Sequence, residues 1–202
     1  MRNRSKLLLT ALTSALLLSL AVSSASARNF SVNEQRIRQT YAPLSFVPSF
    51  GTTVRCPVTL EGTLHSRTNA KAAGTLLGYI NSVTVGTCES GRARANTETL
   101  PWHIQYGSFT GTLPTITTIT HNLIRSSFEI DGEIFGIAVR CRFTPASQPG
   151  IITREARGVV TGLRADESVV TRSETEGCPS GRLSGTGRLT TSTGGNIIVT
   201  LI

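Results

Sequence analysis

One short motif occurs twice in this chain, and each copy is followed by a second cysteine. The motif has Gly, Val, Arg and Cys at matching positions, and its copies are residues 51–56 (GTTVRC) and 136–141 (GIAVRC). The second cysteines, Cys88 and Cys178, lie 32 and 37 residues after the first ones, and each begins a Cys-x-Ser-Gly-Arg segment. The duplication predicts two related halves, each with its own pair of cysteines.

The N-terminus has the pattern of a secretory signal peptide. Three cations precede an apolar run of about 16 residues, and the small residues 25–27 (ASA) follow it. The run is shorter than the roughly 20 residues that a membrane span needs. We therefore expect cleavage after residue 27 and secretion of residues 28–202, with no membrane span after the signal peptide is removed.

The duplicated context also predicts how the four cysteines pair. In an exported chain they favour two disulfides over a metal site, and no CxxC or HxxxH spacing occurs. Pairing within each half joins Cys56 to Cys88 and Cys141 to Cys178. The alternative joins the halves through Cys56 and Cys141. On the chain-entropy model, closing loops of this size stabilises the fold by about 3–4 kcal/mol each.

Alternation of apolar and polar residues with a period of two predicts strands through most of the mature chain. In the first motif copy Val54, Cys56 and Val58 share one face, whereas Arg55 is on the other. About ten short strands separated by turn residues predict an all-β fold, either an antiparallel β-sandwich or a β-barrel. At most one short helix is expected, near residues 69–73.

The same pattern divides the mature chain. We expect an N-terminal strand segment at 28–50 and then a single β domain at 51–202. The domain is made of the two related halves, 51–135 and 136–202. A hairpin turn rather than a linker joins the halves, which favours one shared core, and two separate small domains are the alternative.

Three local placements follow from side-chain pattern alone. Pro43 interrupts the first segment and predicts an edge strand there, because proline cannot donate to a sheet ladder. In the second motif copy, Ile137 and Cys141 are predicted to face inward together. The closing strand, 196–202, is apolar on both faces, which predicts a central position in a sheet.

The positive charge of the chain is dispersed. The whole chain has a formal charge of +8, and removal of the signal peptide with its three cations leaves +5. Lys71 is the single lysine of the mature chain, and an arginine bias suits phosphate recognition. The arginines stand singly, however, without a basic run, which disfavours nucleic acid as a partner and favours a solvated surface.

One regular strand carries aromatic residues on which a sugar could stack. Trp102 and Tyr106 share a face with two aliphatic residues, so we interpret that face as core. His103 and Gln105 lie on the opposite face. They are the candidate surface contacts that the sequence nominates.

The sequence contains no recognisable catalytic constellation. No GxSxG motif supports a serine nucleophile, and a glycosidase needs two carboxylates facing each other across a cleft. The one local concentration of acids includes Glu129, Asp131 and Glu133, which flank a predicted hairpin turn. We therefore expect no catalytic residue, no cofactor and no metal ligand.

Two stretches resemble secreted bacterial proteins of uncharacterised function. They are residues 56–62 (CPVTLEG) and 97–103 (TETLPWH), and the spacing of the four cysteines is similar as well. The resemblance covers most of residues 35–202. It implies an exported, compact, disulfide-stapled β-rich domain, and it implies no activity.

Together these features predict a secreted non-catalytic module of the extracellular space or cell envelope, with a structural or ligand-binding role. A glycan or another envelope protein is the expected partner. The alternative is a secreted hydrolase acting on polysaccharide. A cleft that holds two carboxylates about 5–10 Å apart would distinguish the hydrolase.

Overall fold

The structure is a computed structural model that describes part of the chain. The described residues are 29–112, 115–134, 136–144, 148–154, 158–166, 170–171 and 173–202. The predicted signal peptide lies outside them. Within these ranges, no helix is long and apolar enough to cross a membrane.

Strands make up most of the described chain. They are β1 (Asn29–Val32), β2 (Arg36–Pro48), β3 (Val54–Leu64), β4 (Thr68–Ala70), β5 (Leu76–Val85), β6 (Arg92–Ala95), β7 (Trp102–Thr112), β8 (Thr115–Ile124), β9 (Phe128–Ile134), β10 (Ile137–Phe143), β11 (Gln148–Arg154), β12 (Val160–Ala165), β13 (Val170–Thr171), β14 (Gly181–Thr191) and β15 (Val199–Leu201). One short 3-10 turn, Thr97–Thr99, precedes β7. The all-β prediction is confirmed, although β4 rather than a helical turn occupies the start of residues 69–73.

Eight strands close into an antiparallel barrel. Hydrogen-bonded pairing runs β2-β3-β5-β7-β8-β11-β12-β14, and β14 pairs back with β2. Because consecutive barrel strands are spatial neighbours, this is an up-and-down barrel. Of the two architectures predicted from the sequence, the structure is the barrel. Closure matters because it gives the barrel strands partners on both sides.

The predicted alternation places the apolar side chains inside the barrel. In β3, Val54, Cys56 and Val58 are each 3% exposed, while Arg55 between them is exposed. In β7, Trp102 is fully buried, as expected for a core residue. Alternate residues of each barrel strand therefore fill the interior, as in other small barrels.

Two three-stranded sheets cover opposite ends of the barrel. The sheet β6-β9-β10 packs its buried face onto the end formed by the last part of β2 and the first part of β3, where the rings of Phe46 and Phe143 have centroids 4.1 Å apart. The sheet β4-β1-β15 covers the other end, where Phe30 and Val199 meet Leu189 of β14 around one cavity. The barrel core is thus enclosed at both ends.

The predicted edge position of the N-terminal segment is wrong. Strand β2 is a barrel strand with β3 on one side and β14 on the other. Pro43 falls where the pairing register shifts between Tyr41 and Leu44. The missing proline donor therefore coincides with a bulge, where the ladder is already interrupted.

The central position predicted for the closing stretch, 196–202, is confirmed only for its first half. Ile198 bridges to Val159 on one side and accepts a hydrogen bond from the Asn33 N–H on the other. From Thr200 onward β1 is the one neighbour among the described residues, and Ile202 is 51% exposed. The inward position predicted for Ile137 is wrong. Ile137 is 68% exposed, whereas Cys141 of the same strand is 4% exposed. The reason is that β10 belongs to an end sheet, so only its last part reaches the barrel core.

The disulfide pairing predicted within each half is confirmed. Cys56 of β3 is bonded to Cys88 after β5, and Cys141 of β10 is bonded to Cys178 before β14. The first bridge ties a barrel strand to the connection that leads to β6. The second bridge ties the end sheet to the segment that enters β14.

Removing either disulfide tests whether the disulfides stabilise the fold mainly by closing loops in the unfolded chain. The loops span 32 and 37 residues, so the double variants Cys56→Ala/Cys88→Ala and Cys141→Ala/Cys178→Ala should each lose about 2–4 kcal/mol of unfolding free energy. Urea unfolding followed by tryptophan fluorescence measures the loss. Clearly unequal losses would contradict the loop-closure account and would indicate that one bridge also docks its end sheet.

Candidate functional site

The two surface contacts nominated by the sequence lie on the outer wall of the barrel. The Gln105 side chain donates a hydrogen bond from Nε2 to the Gly74 carbonyl at 3.0 Å, which holds the loop before β5. His103 is half-buried and pairs in register with Tyr79 of β5. Gln105 therefore has a structural contact within the chain, and His103 lies in a row of side chains across the wall.

That row contains an aromatic cluster that sequence inspection missed. The ring of Tyr79 lies 5.7 Å from the ring of His65, and His103 pairs with Tyr79 from the other side. We name these three residues the Tyr79 patch. The residues are far apart in sequence, and only the pairing of β3, β5 and β7 brings them together.

A larger concave feature lies where β2, β12 and β14 meet. It is an open groove of about 410 Å³. Its lining residues come from all three strands and the residue after β12: Pro43, Ser45, Arg164, Ala165, Asp166, Ser184, Gly185 and Thr186. We name it the seam groove, because it lies beside the pairing that closes the barrel.

Bulges in two facing strands accompany the seam groove. Leu44 pairs with Gly185 and Tyr41 pairs with Gly187. Between these pairs, Ala42 and Pro43 of β2 and Thr186 of β14 have no partner in the facing strand. A Cβ on Gly185 would lie 2.6 Å from the Pro43 carbonyl oxygen, so only glycine allows β14 to approach β2 this closely. The groove is therefore a fixed consequence of barrel closure.

The lining of the seam groove combines polar side chains with the apolar surface of Pro43 and Ala165. Ser45, Ser184 and Thr186 contribute hydroxyl groups, Arg164 contributes a guanidinium, and Asp166 contributes a carboxylate. No aromatic ring lines it among the described residues. Such a lining can form many hydrogen bonds with a hydroxyl-rich or anionic ligand.

The acid cluster noted in the sequence forms a ladder of ion pairs on the outer face of β6-β9-β10. Asp131 pairs with Arg94 at 2.8 Å and with Arg140 at 2.7 Å. Glu129 of the same strand pairs with Arg142 at 2.8 Å and with Arg94 at 3.4 Å. Both carboxylates thus sit between arginines of the two flanking strands.

These arginines determine the protonation state of the two acids. The hydrogen bond from Arg140 lowers the pKa of Asp131, and the hydrogen bond from Arg142 lowers the pKa of Glu129. A general acid at neutral pH needs a raised pKa instead. The ladder is consequently suited to holding the end sheet together and unsuited to proton transfer.

The barrel interior contains a polar layer that sequence inspection also missed. His121 of β8 is 3% exposed and Ser126 is fully buried. The Nδ1 atom of His121 and the Oγ atom of Ser126 have no hydrogen-bond partner within the described part of the chain. Gly150 pairs with His121, and a side chain on Gly150 would collide with the imidazole ring.

Burial shifts the pKa values of two side chains in this polar layer. It lowers the pKa of His121 from 6.5 to about 4, and it raises the pKa of Tyr41 on β2. The imidazole is therefore neutral in the folded protein at neutral pH. A neutral imidazole offers one donor and one acceptor nitrogen.

The geometry defines the protein as a closed, eight-stranded up-and-down barrel with two disulfides and an end sheet at each mouth. No protein-family model, no curated protein and no solved structure matches this chain. The resemblance to secreted bacterial proteins therefore stays a prediction from two short stretches. Within the described ranges, no three His, Cys, Asp or Glu side chains are grouped so that they could hold a metal ion.

The buried imidazole predicts a specific loss of stability in mild acid. Because the pKa of His121 is about 4 when folded and 6.5 in the reference state, the unfolded chain binds a proton first as pH falls. The free energy of unfolding should decrease by about 3 kcal/mol as the pH falls from above 6.5 toward 4. Urea unfolding of the wild type and of His121→Gln over this range measures the effect.

The variant should show a much flatter pH dependence than the wild type. The exposed histidine variant His65→Gln is the matched control and should keep the wild-type slope. An unchanged slope in His121→Gln would contradict the assignment of the acid sensitivity to this residue.

Proposed function

We propose that this protein is exported by its signal peptide and acts as a non-catalytic binding module of the extracellular space or cell envelope. The seam groove is its binding surface, and a hydroxyl-rich ligand such as a glycan is the partner. The observation that supports this proposal is the lining of the groove, in which three hydroxyl side chains accompany Arg164 and Asp166. Two disulfides fit an oxidising compartment.

The carboxylates support binding rather than hydrolysis. Glycoside hydrolysis requires two carboxyl groups on either side of the scissile bond. Among the described residues that line the groove, Asp166 is the single carboxylate. Glu129 and Asp131 are held in ion pairs on an end sheet, with their pKa values lowered.

The scaffold around the groove favours a preorganised site. Ser45 and Ser184 are directly paired residues of β2 and β14, and Arg164 pairs with Thr186 across β12 and β14. Side chains on paired barrel strands keep their spacing without a ligand. A rigid site loses less conformational entropy on binding than a mobile loop does.

A glycan array probed with residues 28–202 identifies the ligand, and point variants then locate the site. For the best glycan, Arg164→Ala should weaken binding about 10-fold or more, because a charge-assisted hydrogen bond is lost. Arg188→Ala is the matched control, since Arg188 is an exposed arginine of β14 that does not line the groove. Its affinity should change less than about 2-fold. Calorimetry measures both variants.

Three results would overturn the proposal. Absence of binding to any glycan would exclude glycans as the ligand of this protein. Loss of binding in Tyr79→Ala with no effect of Arg164→Ala would move the site to the Tyr79 patch. Release of reducing sugar, abolished by Asp166→Asn, would establish the hydrolase alternative.

A further inference from the structure

Strand β10 forms an open edge of its end sheet. It pairs with β9 on one side, and over residues 137–139 no strand of the described chain pairs with it on the other side. Farther along β10 this second side is covered. Phe143 bridges to Ser173, and the Glu174 N–H donates to the Arg142 carbonyl at 2.9 Å. The first part of β10 is therefore the uncovered part of the edge.

The main-chain groups of Ala138 point out of this edge. The Arg142 carbonyl accepts its hydrogen bond from Glu174 on the side away from β9. Every second residue of an antiparallel strand directs its N–H and carbonyl to the same side, so Arg140 and Ala138 do so as well. Cys178 Sγ already lies 3.8 Å from the Arg140 carbonyl oxygen. The N–H and carbonyl of Ala138 are thus the donor and acceptor that the edge presents to solvent.

The side chains at this edge are apolar. Ile137 is 68% exposed, the highest value among the large hydrophobic residues of the described chain, and Ala138 is exposed too. Val139 lines a small groove together with Phe50, which is 44% exposed. By contrast β6, at the other edge of the same sheet, alternates exposed arginines with alanines. Charged side chains protect natural sheet edges from pairing, and the first part of β10 has none.

From this uncharged, unpaired edge we propose that two copies of the protein associate through β10. The two strands run antiparallel, with Ala138 of each copy at the two-fold axis. Each Ala138 N–H donates to the carbonyl of the partner's Ala138, and two three-stranded end sheets become one sheet of six strands. Such a contact is isologous, so it closes at the dimer.

The register of the pairing follows from what is covered. With the axis at Ala138, Ile137 lies opposite the partner's Val139, and the same pair repeats across the axis. Paired β-branched side chains of this kind have Cβ atoms about 4.5–5.5 Å apart and stabilise a sheet. Moving the axis to Val139 would direct the partner's Ile137 toward Cys141, beside the segment that covers Arg142. The axis at Ala138 avoids that segment.

The charges on the outer face of the joined sheet are complementary. Glu133 pairs with Ala138 in the ladder, so the two Glu133 residues are separated by both alanines and lie about 14 Å apart. Arg140 lies two strands and two residues from the partner's Glu133, about 12 Å between Cα atoms. Their two long side chains together span that distance. Opposite charges are therefore closer across the axis than like charges are.

The contact is small, so the association is weak. Interfaces that bury less than about 1,200 Å² in total belong to transient complexes, and we expect a dissociation constant of about 10 µM to 1 mM. A dimer has two seam grooves, and a polymeric glycan that reaches both would be held with avidity. This consequence rests on the proposed function, whereas the pairing of β10 does not.

Sedimentation velocity of residues 28–202 between about 10 µM and 1 mM measures the association. We expect a monomer–dimer equilibrium that Ile137→Asp weakens at least 10-fold, because a charge enters the apolar contact. Ile202→Asp is the matched control, since Ile202 is also exposed but follows β15 at the other end of the barrel. Its association should change less than about 2-fold. A wild-type protein that stays monomeric at the highest concentration would overturn the proposal, and glycan binding by the groove would be unaffected.

A proline variant distinguishes main-chain pairing from general hydrophobic contact. Ala138→Pro removes the N–H at the axis and leaves the bonds to β9, which come from the neighbouring positions. Proline is tolerated at an edge where the N–H faces solvent, so urea unfolding should show a stability near that of the wild type. Dimerisation should weaken at least 10-fold. Undiminished dimerisation of the folded variant would contradict pairing through β10.

Cysteine cross-linking tests the register and does not depend on the proline variant. In Ala138→Cys the two introduced thiols lie directly opposite each other, with Cα atoms about 5.5 Å apart, which suits a disulfide. In the matched variant Ile137→Cys the same residues are diagonal neighbours about 8 Å apart, which is too far. Mild oxidation should therefore link Ala138→Cys into covalent dimers on a non-reducing gel and leave Ile137→Cys monomeric. Equal cross-linking of both variants would contradict the axis at Ala138.

Discussion

The pairing of β14 with β2 on one side and β12 on the other is the interaction on which the structure depends. If one of these two pairings were absent, the eight strands would form an open sheet with two unpaired edges and no enclosed interior. With both pairings, the barrel strands have hydrogen-bonded neighbours on both sides. The closure is tight, because Gly185 and Gly187 leave no space for a Cβ against the carbonyls of β2.

The seam groove follows from a departure from regular pairing around this closed ring. The seam groove lies where β2 and β14 bulge against each other, which exposes hydroxyl side chains beside Arg164 and Asp166. Gln39 and His121 line both of the small interior cavities. Each end sheet then separates the interior from solvent, and the disulfide of Cys141 links one of them to the entry of β14.

The alternation of apolar and polar residues predicted side-chain burial correctly wherever one face of a strand packs against the core. Alternation placed Cys56 inward and Arg55 outward, and it assigned Trp102 to the core, because the side-chain period of a strand is two in any sheet. It failed for Ile137, and the edge position that Pro43 predicted for β2 was also wrong. Alternation reports which side of a strand is buried, and it contains no information on how many neighbours the strand has or how far it extends past the core.

By itself, the sequence determined the all-β class and the inward and outward faces of the regular strands, because both depend on a short-range period of two. It also predicted the pairing of Cys56 with Cys88 and of Cys141 with Cys178, because the context of the cysteines is duplicated. Tertiary structure alone decided that the sheet closes, that Tyr79 joins two distant histidines, and that Ser45, Arg164 and Ser184 share one groove. These groupings depend on register between strands far apart in the chain. Register is a property of the whole ring, since a bulge in one strand shifts every neighbour that pairs with it.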